Sequence, residues 1–127
     1  MSYKEHMNTK VSNAEMDVFE ALSASGLTRG MVTGVRLKFK AVNPVTGEHE
    51  STVPDFWWRG ANKLVYLDGP PHLKNHAQIR DEKINGLLEQ EGYEYIRFPY
   101  TPPLRRKSKE FVEIFATIKK FLGVADK

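Results

Sequence analysis

The sequence predicts a single α/β domain in which helices flank a mixed sheet. Two patterns indicate this class: apolar and basic residues alternate from Val35 to Lys40, and apolar residues recur at helical spacing in two other segments. The predicted order is helix, three strands, helix, strand, helix. A chain of 127 residues fits one domain, over residues 1–127, with a core of its own.

The first predicted helix follows a polar segment, residues 1–10, that we expect to be loosely held. Ser12 and Glu15 have the spacing of a capping box at a helix start. Apolar residues recur at helical spacing over residues 14–22. Ser25-Gly26 ends the helix, because glycine is favoured just past the last turn.

Three strands are predicted next. The first begins at Val35 and has one buried and one basic face. The second spans about Ser51 to Trp58 and pairs with the first in an antiparallel hairpin. Pro54 lies inside it and needs an edge, a bulge or a strand start, because proline donates no hydrogen bond. The third spans Lys63 to Leu67 and ends at Asp68-Gly69.

The rest of the chain completes the sheet. A helix is predicted from about Asn75 to Glu91, and the next strand from Tyr93 to Phe98. This strand–helix–strand unit should be a right-handed parallel crossover. Ser108 is predicted to cap a last helix that carries an apolar stripe.

Composition excludes several classes of protein. The chain has no cysteine, which excludes a disulfide framework and a thiolate metal site and suits a reducing cytoplasm. We recognise no signal peptide and no segment with the apolar length of a membrane span, so no membrane partner is expected. A net charge of +3 permits nucleic-acid binding but favours it only weakly.

Two aspartates mark the candidate site. Asp55 lies in the second strand and Asp68 ends the third, so pairing of these strands can bring both carboxylates to one end of the sheet. Nearby carboxylates repel unless a proton or a cation lies between them, and such oxygen ligands suit Mg²⁺, with Mn²⁺ as a substitute. The spacing is equally compatible with Asp55 as a bulge residue and Asp68-Gly69 as a simple turn.

Three further residues are candidates with ordinary alternatives. His72 follows a double proline and can be a general base, a proton donor or a ligand, or simply be exposed; His76 is a second candidate. Asp81 is predicted on the apolar face of its helix, where it needs a partner such as His72 or Arg97, and a structural ion pair is the alternative. For Glu15, helix capping alone is a sufficient explanation.

Aromatic and basic side chains give candidate contacts to nucleic acid. Trp57 and Trp58 cannot both face one side of a strand, so one is expected in the core while Trp57 can stack on bases. The basic residues able to contact phosphates are Arg36, Lys38, Lys40, Arg105, Arg106, Lys107 and Lys109. A solvated charged face explains these basic residues equally well.

Taken in order, these residues resemble the nucleases related to the very-short-patch-repair endonuclease, within the PD-(D/E)xK superfamily. The resemblance covers residues 12–98. Its features are Ala14-Glu15, Pro54-Asp55-Phe56, an apolar strand ending at Asp68-Gly69, His72, Asp81, Leu88, Gly92-Tyr93 and Arg97-Phe98. The series Glu15, Asp55, His72, Asp81 also resembles the EDxHD group of homing-type endonucleases, which shares that catalytic core. The resemblance implies the restriction-endonuclease-like fold.

The resemblance also implies a role for each matching position. Asp55 would be the main metal ligand, and the backbone carbonyl of Leu67 would complete the metal site. The pairing of the two strands makes Asp68 an alternative to that carbonyl as a further ligand. His72 would assist proton transfer or stabilise the leaving group, and Asp81 would support His72. Glu15 would reach the site from the first helix.

The chain departs from this family at several positions. Tyr66 stands where many relatives have glutamate, so the triplet Tyr66-Leu67-Asp68 lacks both its acid and its lysine. Ile84 replaces a common arginine, and no cysteine is available for the structural zinc site of the repair enzymes. These departures argue against a second metal ion and a lysine-stabilised nucleophile.

The resemblance predicts Mg²⁺-dependent hydrolysis of a DNA phosphodiester. One compact domain offers one active centre, which should nick one strand, and a double-strand cut would need a homodimer or two separate events. One alternative is a nucleic-acid-binding module that has lost catalysis, which Tyr66 favours. Another is a subunit of a larger restriction or homing system.

Overall fold

The structure, a computed structural model, describes residues 13–68, 75–100, 104 and 107–124. The described helices are α1 (Asn13–Ala24), α2 (Asn75–Gln90) and α3 (Lys109–Phe121). The described strands are β1 (Met31–Val32), β2 (Leu37–Val42), β3 (His49–Thr52), β4 (Phe56–Trp58), β5 (Lys63–Asp68) and β6 (Glu94–Pro99). The class is α/β, as the sequence predicts.

The main sheet contains four of the described strands, in the order β1-β4-β5-β6. β4 lies antiparallel to both β1 and β5, whereas β5 and β6 are parallel, with Lys63 opposite Glu94 and Leu67 opposite Phe98. Helix α2 lies between these parallel strands in the chain. The predicted mixed sheet with a parallel strand–helix–strand unit is therefore confirmed.

Both faces of the main sheet are covered. Side chains alternate between the faces of a strand, and Leu64 to Leu67 in β5 are all buried, as expected for a strand with cores on both sides. On one face the sheet packs against α1 and α3 through Phe56, Trp58, Val65, Leu67, Val18, Leu22, Phe111, Ile114 and Ile118. On the other face it packs against α2 and β2 through Leu64, Tyr66, Leu37, Phe39, Ile84 and Leu88.

The hairpin differs from the prediction in one respect. β2 and β3 are antiparallel, with Leu37 opposite Thr52, but they form a separate two-stranded sheet. The buried residues Leu37 and Phe39 alternate with exposed lysines, so the predicted apolar and basic faces are confirmed. Val35 is exposed and precedes the strand, which begins at Leu37.

The predicted second strand, Ser51 to Trp58, is divided by Val53, Pro54 and Asp55 into β3 and β4. Pro54 is fully buried and has no backbone N–H for a ladder, so pairing stops where the sequence indicated a bulge or an edge. The break lets β3 pair with β2 while β4 joins the main sheet. Asp55 lies at the junction between the two.

Local signals explain two helix ends. The first turn of α3 is capped by Ser108, whose hydroxyl oxygen accepts from the Phe111 amide at 3.1 Å, as predicted. α1 ends where Gly26 adopts a φ of +73°, and the Leu27 amide then donates to the Leu22 carbonyl at 2.9 Å. The predicted cap at Ser12 lies outside the described residues. Among the described helices, none has both the length and the apolar character needed to cross a membrane.

Candidate active site

Asp55 is held by the edge of β5. Its backbone amide donates to the Val65 carbonyl at 3.1 Å, and its Oδ2 accepts from the Leu67 amide at 2.6 Å. Because Pro54 ends the hairpin pairing, Asp55 can bend its carboxylate onto β5 instead of continuing a ladder. The side chain is half-buried. A carboxylate in this position is fixed by backbone geometry and still partly open to solvent.

Glu15 of α1 forms a hydrogen bond with the carboxyl group of Asp55. Burial, the hydrogen bond to Glu15 and the negative charge of Glu15 together raise the pKa of Asp55 to about 8. The Leu67 amide opposes this rise, and the charge of Asp68 adds to it. Two carboxyl groups in contact require a proton or a cation between them. The structure thus brings together two predicted site residues that are forty positions apart in the chain.

The backbone carbonyl of Leu67 lies on the same edge of β5 as its amide. In a strand the N–H and C=O groups of one residue point toward the same neighbour, and this direction alternates along the chain. The amide of Leu67 donates to Asp55, and the carbonyl of Asp68 points the opposite way, accepting from the Tyr100 amide at 3.0 Å. The Leu67 carbonyl is therefore on the Asp55 side, where the resemblance places a backbone ligand.

Asp68, at the end of β5, is paired with Arg97 of β6. An Arg97 guanidinium nitrogen lies 3.4 Å from Oδ1 of Asp68, and Nε of Arg97 donates to Oδ1 of Asn85 at 2.8 Å. Burial raises the pKa of Asp68, the Arg97 charge opposes the rise, and the charge of Asp81 adds to it. Asp68 is thus partly neutralised by a cation, which distinguishes it from the Glu15–Asp55 pair.

Tyr66 supports this arginine. The guanidinium carbon of Arg97 lies 4.1 Å from the centre of the Tyr66 ring, a cation–π contact. The Tyr66 hydroxyl shares a 2.9 Å hydrogen bond with the hydroxyl of Thr52, and both residues are buried. Burial raises the pKa of Tyr66. Position 66 therefore holds an aromatic ring against an arginine that is itself paired with Asp68.

Asp81 is exposed, so the expectation that it faces the core and needs a buried partner is wrong, although it lies at helical spacing from the buried residues Ile84 and Leu88. Residues 80–83 are all exposed and burial begins only at Ile84, because the sheet and the hairpin cover the later turns of the helix. Asp81 is near enough to raise the pKa of Asp68 through its charge. Arg97, one of its expected partners, pairs with Asp68 instead. The other, His72, lies outside the described residues.

The predicted phosphate-binding residues fall in three groups. Lys38 and Lys40 are exposed on the outer face of β2, and exposed Arg36 donates to the Ser51 hydroxyl at 2.8 Å. Lys107 and Lys109 are exposed near the start of α3. Arg105 and Arg106 lie outside the described residues. The described basic residues are therefore solvent-accessible.

The two tryptophans lie on opposite faces of β4, as predicted. Trp58 is buried, and its indole N–H donates to the Leu27 carbonyl at 2.8 Å. Trp57 is half-buried against the core on the α2 side, with the Arg59 guanidinium 5.1 Å from its ring centre. Its indole nitrogen is buried and has no hydrogen-bond partner among the described residues. Only part of the Trp57 ring is therefore exposed for the predicted stacking on a base.

The described carboxylates do not form a complete metal cage. Across residues 13–68, 75–100, 104 and 107–124, no three or more histidine, cysteine, aspartate or glutamate side chains are grouped to hold an ion. The candidate donors are the Glu15–Asp55 pair and the Leu67 carbonyl. Carboxylate and carbonyl oxygens of this kind are hard ligands that suit Mg²⁺ or Mn²⁺.

Two residues of the network were missed at the sequence level. Asn85 and Thr52 hold Arg97 and Tyr66 through hydrogen bonds that span twelve and fourteen positions in the chain. Neither belongs to a local motif. The sequence indicates Arg97 as a partner for Asp81 and as part of the resemblance, but its place beside Tyr66 follows from the pairing of β5 with β6.

Searches against protein-family models, curated proteins and solved structures gave no significant match. The fold and the site therefore define a class from the chain's own geometry. It is an α/β protein whose mixed sheet carries a pair of carboxyl groups in contact, beside an arginine-paired aspartate.

Proposed function

We propose that this protein is a metal-dependent DNA endonuclease with the restriction-endonuclease-like fold. The observation that carries the proposal is the contact between the carboxyl groups of Glu15 and Asp55 at the edge of β5. Helix capping would account for Glu15 alone, but it would not account for a second carboxyl group beside it. The residues in contact are two of those that the family resemblance names.

The donor set fits a hard divalent cation. Mg²⁺ needs few protein ligands and keeps several waters, so two carboxylates and the Leu67 carbonyl are a sufficient protein contribution. Because the pKa of Asp55 is raised to about 8, the pair retains a proton near neutral pH that a bound cation would displace. The hydrogen bond from the Leu67 amide keeps Oδ2 of Asp55 oriented, while the carboxyl group is also in contact with Glu15.

When bound, a divalent cation polarises the scissile phosphate and lowers the pKa of an attacking water. Asp55 and Glu15 would hold the cation, and the ion pair between Asp68 and Arg97 sets the local charge at the end of β5. The resemblance assigns the proton-transfer role to His72. One such centre would nick a single strand, and a double-strand cut would need a homodimer or two events.

The direct test is nicking of supercoiled plasmid in Mg²⁺ or Mn²⁺, with EDTA as the blank. The wild-type protein should nick, and Asp55→Ala and Glu15→Gln should each lose about a hundredfold or more in rate. Glu82→Gln is the matched control, because Glu82 is an exposed carboxylate on α2 outside the pair. Wild-type protein that never nicks DNA in either metal would overturn the proposal.

A second measurement separates metal binding from catalysis. Calorimetric titration of Mn²⁺ in buffers of different ionisation enthalpy should report about one proton released per ion near neutral pH. Asp55→Asn should abolish both the heat and the proton release. Binding of Mn²⁺ that is unchanged in Asp55→Asn would place the ion elsewhere.

The alternative function is a nucleic-acid-binding module without catalysis. Tyr66 beneath Arg97, and Arg97 paired with Asp68, favour it, because this end of β5 then lacks the acid and the lysine of the usual triplet. A module of this kind would bind DNA equally well in Mg²⁺ and in EDTA, without strand cleavage. The plasmid assay combined with a binding assay in EDTA distinguishes the two functions.

A further inference from the structure

A second polar site lies between the hairpin and α2. A cleft of about 410 Å³ separates β3 from the middle of α2, and we call it the hairpin–α2 cleft. Its polar walls include Arg80 and Lys83 from the helix and His49, Glu50 and Ser51 from the strand, and the buried side chain of Ile84 forms part of its lining. A cleft of this size accommodates a small ligand or part of a larger one.

The charges in the cleft are unequal. Lys83 forms a 2.5 Å ion pair with Glu50, and this contact is the main cause of the lowered pKa of Glu50. Arg80 acts on Glu50 only through its charge, and no hydrogen bond or ion pair in the described part of the chain engages its guanidinium. One carboxylate therefore faces two cations, and the guanidinium of Arg80 remains available for an anion.

Polar groups on β3 also line the cleft, and one of them, the Ser51 hydroxyl, offers a donor. Nδ1 of His49 lies 2.8 Å from the Phe39 carbonyl, and because a carbonyl only accepts, Nδ1 carries the proton. Nε2 is the remaining polar atom of the ring, and in this tautomer it accepts rather than donates. The hydroxyl of Ser51 accepts from exposed Arg36 at 2.8 Å, so its own hydrogen is free to donate and a third cation lies at the rim.

We infer that the hairpin–α2 cleft binds a backbone phosphate of the DNA strand, at a subsite separate from the acidic pair. The inference rests on the proposed function for its choice of ligand. The Arg80 guanidinium, the Lys83 ammonium and the Ser51 hydroxyl together suit a phosphate better than an apolar ligand, and the proposed function makes the phosphate that of DNA. Helix α2 also carries Asn85, which holds Arg97 beside Asp68, so the same helix forms a wall of the cleft and supports the end of β5.

The test is binding of a short fluorescein-labelled DNA duplex, measured by anisotropy in EDTA over a range of salt concentrations. Arg80→Gln should weaken binding about five- to tenfold and reduce the salt slope by about one. Glu50→Gln should strengthen binding, because it removes the only carboxylate among the described cleft residues and releases Lys83. Arg29→Gln is the charge-matched control, because Arg29 is exposed in the segment after α1, and it should bind as the wild type does.

Opposite effects of the two cleft variants are the decisive result, because general destabilisation would weaken both. Arg80→Gln that binds like the wild type, or Glu50→Gln that binds more weakly, overturns the inference. Wild-type protein without affinity for DNA overturns it as well. If the wild type cleaves DNA and Arg80→Gln binds DNA as tightly as the wild type, the phosphate subsite is rejected while the nuclease proposal stands. If both variants change DNA binding as expected but the wild type does not cleave DNA in Mg²⁺ or Mn²⁺, the phosphate subsite is supported and the nuclease proposal is rejected.

Discussion

Replacing Asp55 by asparagine should remove most of the pH dependence of the metal-free protein's stability between about pH 5 and about pH 8. Burial and the contact with Glu15 raise the pKa of Asp55 from its ordinary value of 3.8 to about 8. Since the folded state then holds this proton more tightly than the unfolded chain, protonation stabilises the fold. The stabilisation is complete below about pH 4 and is lost as the pH rises to about 8.

The size of the effect follows from the pKa difference. One pKa unit corresponds to about 1.4 kcal/mol, so the free energy of unfolding can fall by about 4 kcal/mol between about pH 5 and about pH 8. Asp55 is only half-buried and accepts a hydrogen bond from the Leu67 amide. Water screens part of the penalty on the ionised form, so we expect a measured loss of about 2–3 kcal/mol. Such a loss is a large part of a typical total of about 5–15 kcal/mol.

The assay is urea unfolding in EDTA at several pH values for the wild type, Asp55→Asn and the control Glu82→Gln. Asparagine keeps an oxygen that can accept from the Leu67 amide. The variant therefore removes the titration of the Asp55 carboxyl group without removing that hydrogen bond. The difference between wild type and Asp55→Asn should widen steadily with pH, while Glu82→Gln follows the wild type. Wild-type and Asp55→Asn curves that run parallel would refute the account of the carboxyl pair.

Three further changes test the packing around the site. Ser108→Ala removes the cap that accepts from the Phe111 amide and should cost about 1 kcal/mol in urea unfolding; an unchanged midpoint would contradict the cap. Thr52→Val leaves the buried Tyr66 hydroxyl without its partner and should cost about 1–3 kcal/mol, whereas a neutral result would mean that water replaces the bond. Leu88→Ala opens a cavity in the fully buried core beneath the hairpin and should cost about 2–5 kcal/mol, measured against the milder Leu88→Met.

Much of the architecture was predictable because it depends on local periodicity. The helical spacing in α3 and the alternation in β2 each bury one face, and the Ser108 cap was recognisable from the sequence. β1 was not predicted, since a strand of two residues is too short to show a period. For the second strand, the sequence indicated only that Pro54 needs an edge, a bulge or a strand start, and not that the strand divides in two. Which sheet β3 joins depends on pairing between distant segments, and no local pattern specifies it.

The site was predictable only where the family resemblance, which joins residues far apart in the chain, supplemented local helix and strand patterns. On local grounds Glu15 was a helix cap, and nothing in its neighbourhood indicated contact with Asp55. The exposure of Asp81 was missed because helical spacing tells which residues share a face, but not how far along the helix that face is covered. The Thr52–Tyr66 hydrogen bond joins distant positions and leaves no trace in composition or spacing.

In the proposed nuclease, the unusual triplet Tyr66-Leu67-Asp68 at the end of β5 and the pairing of Glu15 with Asp55 are parts of one arrangement. Tyr66 places an aromatic ring where the resemblance would place glutamate, and Arg97 lies over that ring while it pairs with Asp68. A carboxylate at position 66 would meet the same guanidinium and would be drawn toward it, away from a cation site. With an ion pair holding Asp68, the second carboxyl group beside Asp55 comes instead from α1, through Glu15. A chain without an acid at position 66 of β5 therefore keeps the ligands for a cation site, because Glu15 of α1 supplies a carboxylate oxygen of the same hardness.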